Sequence, residues 1–410
     1  MSQKHLPTLS ASSFLEDLAS TVLKNENMGS CAVVLPSFRA VTTFKRIITR
    51  QATKACRMPQ VMTLGAFMEG SGDFQIADNL EVLARLYQVQ LASSLEKKDF
   101  GLFLNWGSVA LADFHQIDHH MKDAHQVFKN LRDIKEIEEW SFDNANELTE
   151  AQISFMHQWD RLPHLYKDLH DRLKKDGMTT KAMLSWEVAK KGDVQKYMNV
   201  YAAGLAAITP SEKLYLTKWH EAGKLHYLPD ADISYVHDAH IEAGYFIRDL
   251  SEFPCNIPDK IAQSPPVLEI TRCSSVMSSC QLVRQIVLKL SEDEKNKTVI
   301  VLPDAGTLPV LLQALPNNDV GYNVTMGVSI RETPISPFLN LIQRMTSRPD
   351  SGWRFEELVS LSSQQVVLEY TAKINLFKSD STNSLHQLAK RNSGWVNMKT
   401  IDEVSEGAFY

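Results

Sequence analysis

The chain has 410 residues, 44% hydrophobic and 22% charged, with 43 Lys+Arg against 49 Asp+Glu and a formal net charge of −6. This globular composition excludes intrinsic disorder, collagen-like repeats and a disulfide scaffold. A mildly acidic total also excludes a wholly basic nucleic-acid coat, though not a local basic patch.

At roughly 100–200 residues per domain, two to four domains are expected. The five cysteines, Cys31, Cys56, Cys255, Cys273 and Cys280, are odd in number and lack CxxC spacing. Reduced cytosolic thiols are the simpler reading than disulfides or a Cys-rich zinc site. The N-terminus has no apolar h-region, and no apolar run approaches the ~18 residues that span a bilayer. The expected location is the cytoplasm, with no membrane partner.

Along the chain, Phe14, Leu15, Leu18, Val22 and Leu23 recur on one helical face over 11–25. CAVVLPS, 31–37, reads as a buried parallel strand. Residues 38–55 show helical periodicity, and 59–70 give a short strand and the start of a helix. From about 70 to 190, long charged amphipathic stretches predict an all-helical insertion, with Trp106, Trp140, Trp159 and Trp186 as large fillers. Residues 198–208 are strand-like. Thr209, Pro210 and Glu212 form a capping-box pattern that opens a helix to 223. KLHYLPDADI is another strand and turn, and 252–266 is the best linker candidate. VLEITRCSS and TVIVLPDAG, 298–306, then read as strands, each followed by a helix. The tail from 346 has helical pieces and a polar stretch at 379–384.

CAVVLPSFRAVTTFKRII at 31–48 and TVIVLPDAGTLPVLLQAL at 298–315 share one layout. Each has four apolar residues, Leu-Pro, a polar residue and a helix. The repeat predicts two related α/β units, the first interrupted by the helical block. The expected divisions are 1–69 and 196–262 for the first lobe, 70–195 for the insertion, 266–345 for the second lobe, and 346–410 for the start of a second helical insertion.

Charge is uneven. Between Glu26 and Glu69 there is no acidic residue, while Arg39, Lys45, Arg46, Arg50, Lys54 and Arg57 are basic. A strand that ends at Ser37 and turns into a helix presents backbone N–H groups, and such helix starts bind phosphate. The pattern fits a phosphate backbone; it also fits a solvated basic face. His115 and His119, at i and i+4 beside Asp118 and Asp123, could hold Zn²⁺, but no HExxH and no distant third ligand accompany them. Gly70-Ser71-Gly72 lacks the Lys-Ser/Thr of a Walker A loop, and no GxSxG occurs. Cys31 lies within an apolar strand and reads as a packed thiol. No catalytic constellation is visible.

At LPSFRAVTTFKRI the sequence resembles the superfamily 1 helicase segment of apolar strand, Pro-Thr/Asn-x-Arg-Ala and helix. More narrowly, it is similar to the N-terminal part of AddB-type subunits of bacterial helicase–nucleases, in their RecB-like, Bacteroidetes-style form. Three further segments carry the resemblance: LFLNWGSVALADFHQIDHHMKDAHQVFKNLRDIKEIEEW at 102–140, VYAAGLAAITPSEKLYLTKWHEAG at 200–223, and NVTMGVSIRETPISPFLNLI at 323–342. Together they cover most of residues 10–345.

The resemblance implies RecA-like (P-loop NTPase-like) parallel-sheet domains with large all-helical insertions. It also implies a degenerate helicase without ATPase activity. The Walker A lysine is absent, and Ala202 and Ala203 stand where a Walker B acid would coordinate Mg²⁺, which needs oxygen ligands. Complete members carry a PD-(D/E)XK nuclease domain, which would lie beyond residue 410; Mg²⁺ is expected only there, and no cofactor in this segment. The family processes double-strand DNA ends for recombination with an AddA-type motor subunit, so the implied partners are DNA and that subunit. By position, Ser37 and Arg39 match the strand-to-helix phosphate segment, and Thr325 and Met326 match a segment facing the interdomain cleft. Asp113 and Asp118 match family positions, whereas the neighbouring histidines do not. The expected DNA-binding residues are therefore Ser37, Arg39, Lys45, Arg46, Arg50, Thr325 and Met326. Two other readings stand beside this one: an interaction scaffold docking a partner through the acidic 133–150 stretch, and a metal-dependent hydrolase built on His115 and His119.

Overall fold

A computed structural model describes residues 13–72, 74–93, 99–129, 150–316, 321–347, 352–373, 394–397 and 399. The chain divides after Val267 into two compact units.

The first unit is built on a four-stranded, all-parallel sheet. Helix α1 (Phe14–Leu23) leads to β1 (Cys31–Leu35), α2 (Phe38–Gln51), β2 (Gln60–Thr63) and α3 (Leu64–Glu69). After the helical block come β5 (Asn199–Ala203), the helix Pro210–Glu221 and β6 (Leu225–Leu228), and the sheet order is β2-β1-β5-β6. Every residue of β1 is buried, as a strand covered by helices on both faces must be. Its side chains alternate between two cores. Cys31, Val33 and Leu35 pack with Leu18 and Val22 of α1 and Val41, Phe44 and Ile48 of α2. Ala32 and Val34 pack on the other side with Phe67, Tyr215, Leu216 and Trp219.

The capping box at Thr209 forms as its sequence requires: the Thr209 hydroxyl accepts from Glu212 N, and the Glu212 carboxylate accepts from Thr209 N at 2.7 Å. Gly204, with φ +67°, turns the chain out of β5.

Between β2 and β5 the chain makes its helical excursion. It contains α4 (Asn79–Ser93), α5 (Phe100–His120), and the helices Glu150–Lys175 and Lys181–Lys191. The excursion is not all helix. Two-residue strands β3 (Gln75–Ile76) and β4 (Met178–Thr179) pair in parallel and hold its entry beside its exit. A pairing so short leaves no periodic signal in sequence. The block has its own core, with Phe103, Leu111, Phe114 and Leu169 at its centre.

The second unit departs from expectation. Helices Val276–Lys289 and Leu308–Ala314 form where the spacing places them and share a small core with Cys280, Val287 and Leu311, against which Ile300 and Leu302 pack. The strands expected in VLEITRCSS (267–275) and TVIVLPDAG (298–306), however, do not form: neither stretch has a ladder partner among the described residues. Aligned on Leu-Pro, Val299 and Val301 correspond to Ala32 and Val34. The latter two are fully buried; the former two are each 81% exposed. The helix-facing half of the α/β layout is repeated and the other half is not, because no neighbouring strand or second helix layer closes over it among the described residues. VTMG at 324–327 carries no strand either. Beyond it lie the helices Ile335–Thr346, Phe355–Ser362 and Gln365–Lys373 and a short antiparallel pair, β7 (Trp353–Arg354) with β8 (Trp395–Val396). The polar stretch 379–384 lies outside the described residues, as do 133–149 of the acidic segment. No described helix is long and apolar enough to cross a membrane.

Candidate nucleic-acid interface

From β1 the chain moves outward to β2; it then returns to the far side of β1 as β5 and continues outward to β6. The β1–β2 connection α2 lies on one face of the sheet, and the β5–β6 connection lies on the other. The carboxyl ends of β1 and β5 are therefore a topological switch point, the place where open α/β sheets bind ligands.

Ser37 stands at that edge. Its hydroxyl caps α2 by accepting from Ala40 N at 3.2 Å, and its carbonyl accepts from Val41 N at 3.0 Å. Two first-turn amides, Phe38 and Arg39, are not used by this cap. Pro36, just before, contributes no N–H. Beside it, a Cβ built on Gly204 would make ordinary packing contacts with Phe14 Cε1 at 3.5 Å and the Pro36 ring at 3.8 Å. On the neighbouring strand, Ala202 and Ala203 bring no side-chain oxygen to this edge.

The basic residues lie further along α2. Val41, Phe44 and Ile48 form its buried face. Arg39, Arg46 and Arg50, at i, i+7 and i+11, fall on one line at 3.6 residues per turn, diametrically opposite that face. All three are exposed, as are Lys45, Lys54 and Arg57. None of Arg39, Lys45, Arg46 and Arg50 forms an ion pair with a described residue. The row runs roughly 16 Å at 1.5 Å per residue. Lys45 flanks it, on the side that also carries Phe38, which is 78% exposed. Sequence reasoning missed Phe38. Its signal was its helical position, outside the Val41-Phe44-Ile48 face and directly after the cap. Thr325 and Met326 belong to the second unit, in the irregular stretch 321–329, with Thr325 exposed and Met326 half-buried.

The histidine-rich turn of α5 is a structural junction. Asp118 is 1% exposed. Its Oδ1 accepts from the Tyr166 hydroxyl at 2.6 Å, and its Oδ2 lies 3.3 Å from His170 Nε2, at ion-pair distance. Burial and the Asp118 carboxylate both push the Tyr166 hydroxyl well above its ordinary value, so it stays a donor. His115 Nε2 and His119 Nδ1 are buried without hydrogen-bond partners. Among the described residues, no three His, Cys, Asp or Glu side chains converge as metal ligands. Asp118 Oδ1 is bonded to Tyr166, whereas its Oδ2, near His170, makes no hydrogen bond, like His115 Nε2 and His119 Nδ1. Cys31 is a packed thiol whose pKa burial raises.

The turn has a pH consequence. Burial chiefly, with His119 and His170 adding, lowers the His115 pKa against the pull of Asp118. Its folded pKa thus lies below its unfolded one. The stability it contributes is complete above the unfolded value and is lost as pH falls through the folded value. Thermal melts should show lower stability at pH 5.5 than at 7.5, and His115→Leu should lose less over that interval. An identical loss in the variant would remove His115 as the cause.

Compared with protein-family models and with curated proteins, the chain matches none.

Proposed function

We propose that this chain is a non-catalytic helicase-like region of an AddB-type helicase–nuclease subunit, one that binds single-stranded DNA along α2 while an AddA-type partner supplies the motor. The observation that carries this reading is the row Arg39, Arg46 and Arg50, without ion pairs to described residues, leading away from the Ser37 end of the parallel sheet. Phosphates on a single strand can follow such a row, and Phe38 offers a ring on which a base can stack. The doubly wound four-stranded parallel sheet and the segments 102–140 and 323–342 support the same assignment. Thr325 and Met326 are proposed as second-unit contacts to the strand.

Binding of a fluorescent single-stranded oligonucleotide, titrated with salt, tests it. Three to four phosphate contacts predict a slope of about −2 to −3 in log K against log[salt]. Absence of salt-dependent binding would sink the proposal.

A further inference from the structure

The loop between β6 and the end of the first unit presents aromatic side chains on a scaffold that is unusually well tied down. Short helices Ile233–Val236 and Tyr245–Asp249 enclose it. The Arg248 guanidinium is turned inward and donates to five carbonyls, those of Tyr235, Val236, Asp238, Ala239 and Ile241, at 2.9–3.5 Å. Asp232 accepts from the backbone N–H groups of Ser234, Lys260 and Ile261 at 2.7–3.0 Å. Burial alone would raise its carboxyl, but those donors hold it at about 2. Gly244 completes the closure, since any Cβ there would collide with the Tyr235 carbonyl. That contact sets Tyr235 beside Tyr245 along the backbone.

On this rigid frame Tyr245 is 60% exposed, Phe246 50% and Tyr235 46%, and the first two rings meet edge-on at 5.3 Å. Pre-ordered aromatics at a surface are the residue types that carry binding energy in protein interfaces. The chain around them is rich in carboxylates. From Leu225 to Asp259 there are seven acidic residues, no lysine and one arginine, Arg248, which is consumed by the carbonyls. Asp249 and Glu252 share Lys213 at 3.5 and 3.3 Å, while Asp230, Asp238 and Glu242 are exposed without an ion pair to a described residue. Such a rim repels phosphate backbones and anionic lipid alike.

We infer that Tyr235, Tyr245 and Phe246, rimmed by Asp230, Asp238 and Glu242, form a docking surface for a basic amphipathic segment of a partner protein. The aromatic rings would take its apolar side chains and the carboxylates its lysines or arginines, an arrangement that sets specificity and encounter rate. The surface is on different elements from α2, so it does not rest on the DNA reading.

The test uses the whole chain and two labelled amphipathic helical peptides, one of Leu and Lys and one of Leu and Glu. The Leu/Lys peptide should bind and the Leu/Glu peptide should not. Tyr245→Ala with Phe246→Ala should weaken Leu/Lys binding roughly tenfold or more, and Glu242→Lys should weaken it separately. Oligonucleotide affinity should not fall in either variant. Equal peptide binding in the parent and in Glu242→Lys would overturn the inference, and that single exposed change keeps the test valid if the double variant folds poorly. A dimer in sedimentation that the aromatic variant dissociates would also overturn it, by making a second copy the occupant.

Discussion

Replacing Arg39, Arg46 and Arg50 together with alanine should reduce the salt slope of single-strand binding by about 2, at about 0.7 per phosphate contact, and lower affinity roughly 100-fold near 0.1 M salt. The melting temperature should hardly move, because these side chains point away from Val41, Phe44 and Ile48 and lack ion pairs with described residues. Two further variants divide the effect. Lys45→Ala, off the line of the row, should reduce the slope by less than any one of the three arginines. Phe38→Ala should weaken binding by about 1–3 kcal/mol if a base stacks there, with the slope unchanged, since no charge is removed. A triple variant that binds with the parent's slope would remove α2 as the phosphate track. A slope lost with Lys45 alone would move the track to the helix flank.

The second large effect lies in the core. Trp219 is fully buried, with Phe67, Tyr197 and Tyr215 at ring-centroid distances of 5.6, 6.1 and 6.2 Å. It also packs behind Ala32, Val34, Val200 and Ala202, the residues that two central strands turn toward it. Trp219→Ala should cost about 3–5 kcal/mol, a large share of the 5–15 kcal/mol typical of a folded protein, and it should lower the melting temperature of the first unit by roughly 10 °C. Trp219→Phe should be far milder. The indole Nε1 is buried without a hydrogen-bond partner, so phenylalanine removes an unsatisfied donor while leaving only a small gap. Equal losses for the two variants would show that the indole itself, rather than the volume removed, sets the cost.

Local signals in the sequence matched the elements whose determinants are local. The apolar run Cys31–Leu35, the Ser37 and Thr209 caps and the Gly204 turn are each decided within a few residues, and each forms as its residues specify. What escaped depends on groups far apart in the chain. Phe14 reaches the Gly204 edge across 190 positions, and Asp118 is claimed by Tyr166 and His170 from another helix. Arg248 organises a loop through carbonyls, which sequence patterns do not display. The signal for the aromatic loop was compositional: a stretch from Leu225 to Asp259 without a lysine, holding three tyrosines and two phenylalanines. The strands expected within 267–275 and 298–306 failed for a different reason. Valine and isoleucine report the preference of a backbone for extension, but a strand also needs a neighbour, and β propensity is silent about neighbours.

Those two segments have a consequence for the behaviour of the molecule in solution. Val267, Leu268, Ile270, Val299 and Val301 are all exposed, in stretches that have no ladder partner among the described residues. Such segments are templates for edge-to-edge pairing. Self-association through these segments would therefore rise with protein concentration. A lysine placed at Val299 or Val301 would act as a gatekeeper, suppressing association while leaving Ile300 and Leu302 in their places against the helices.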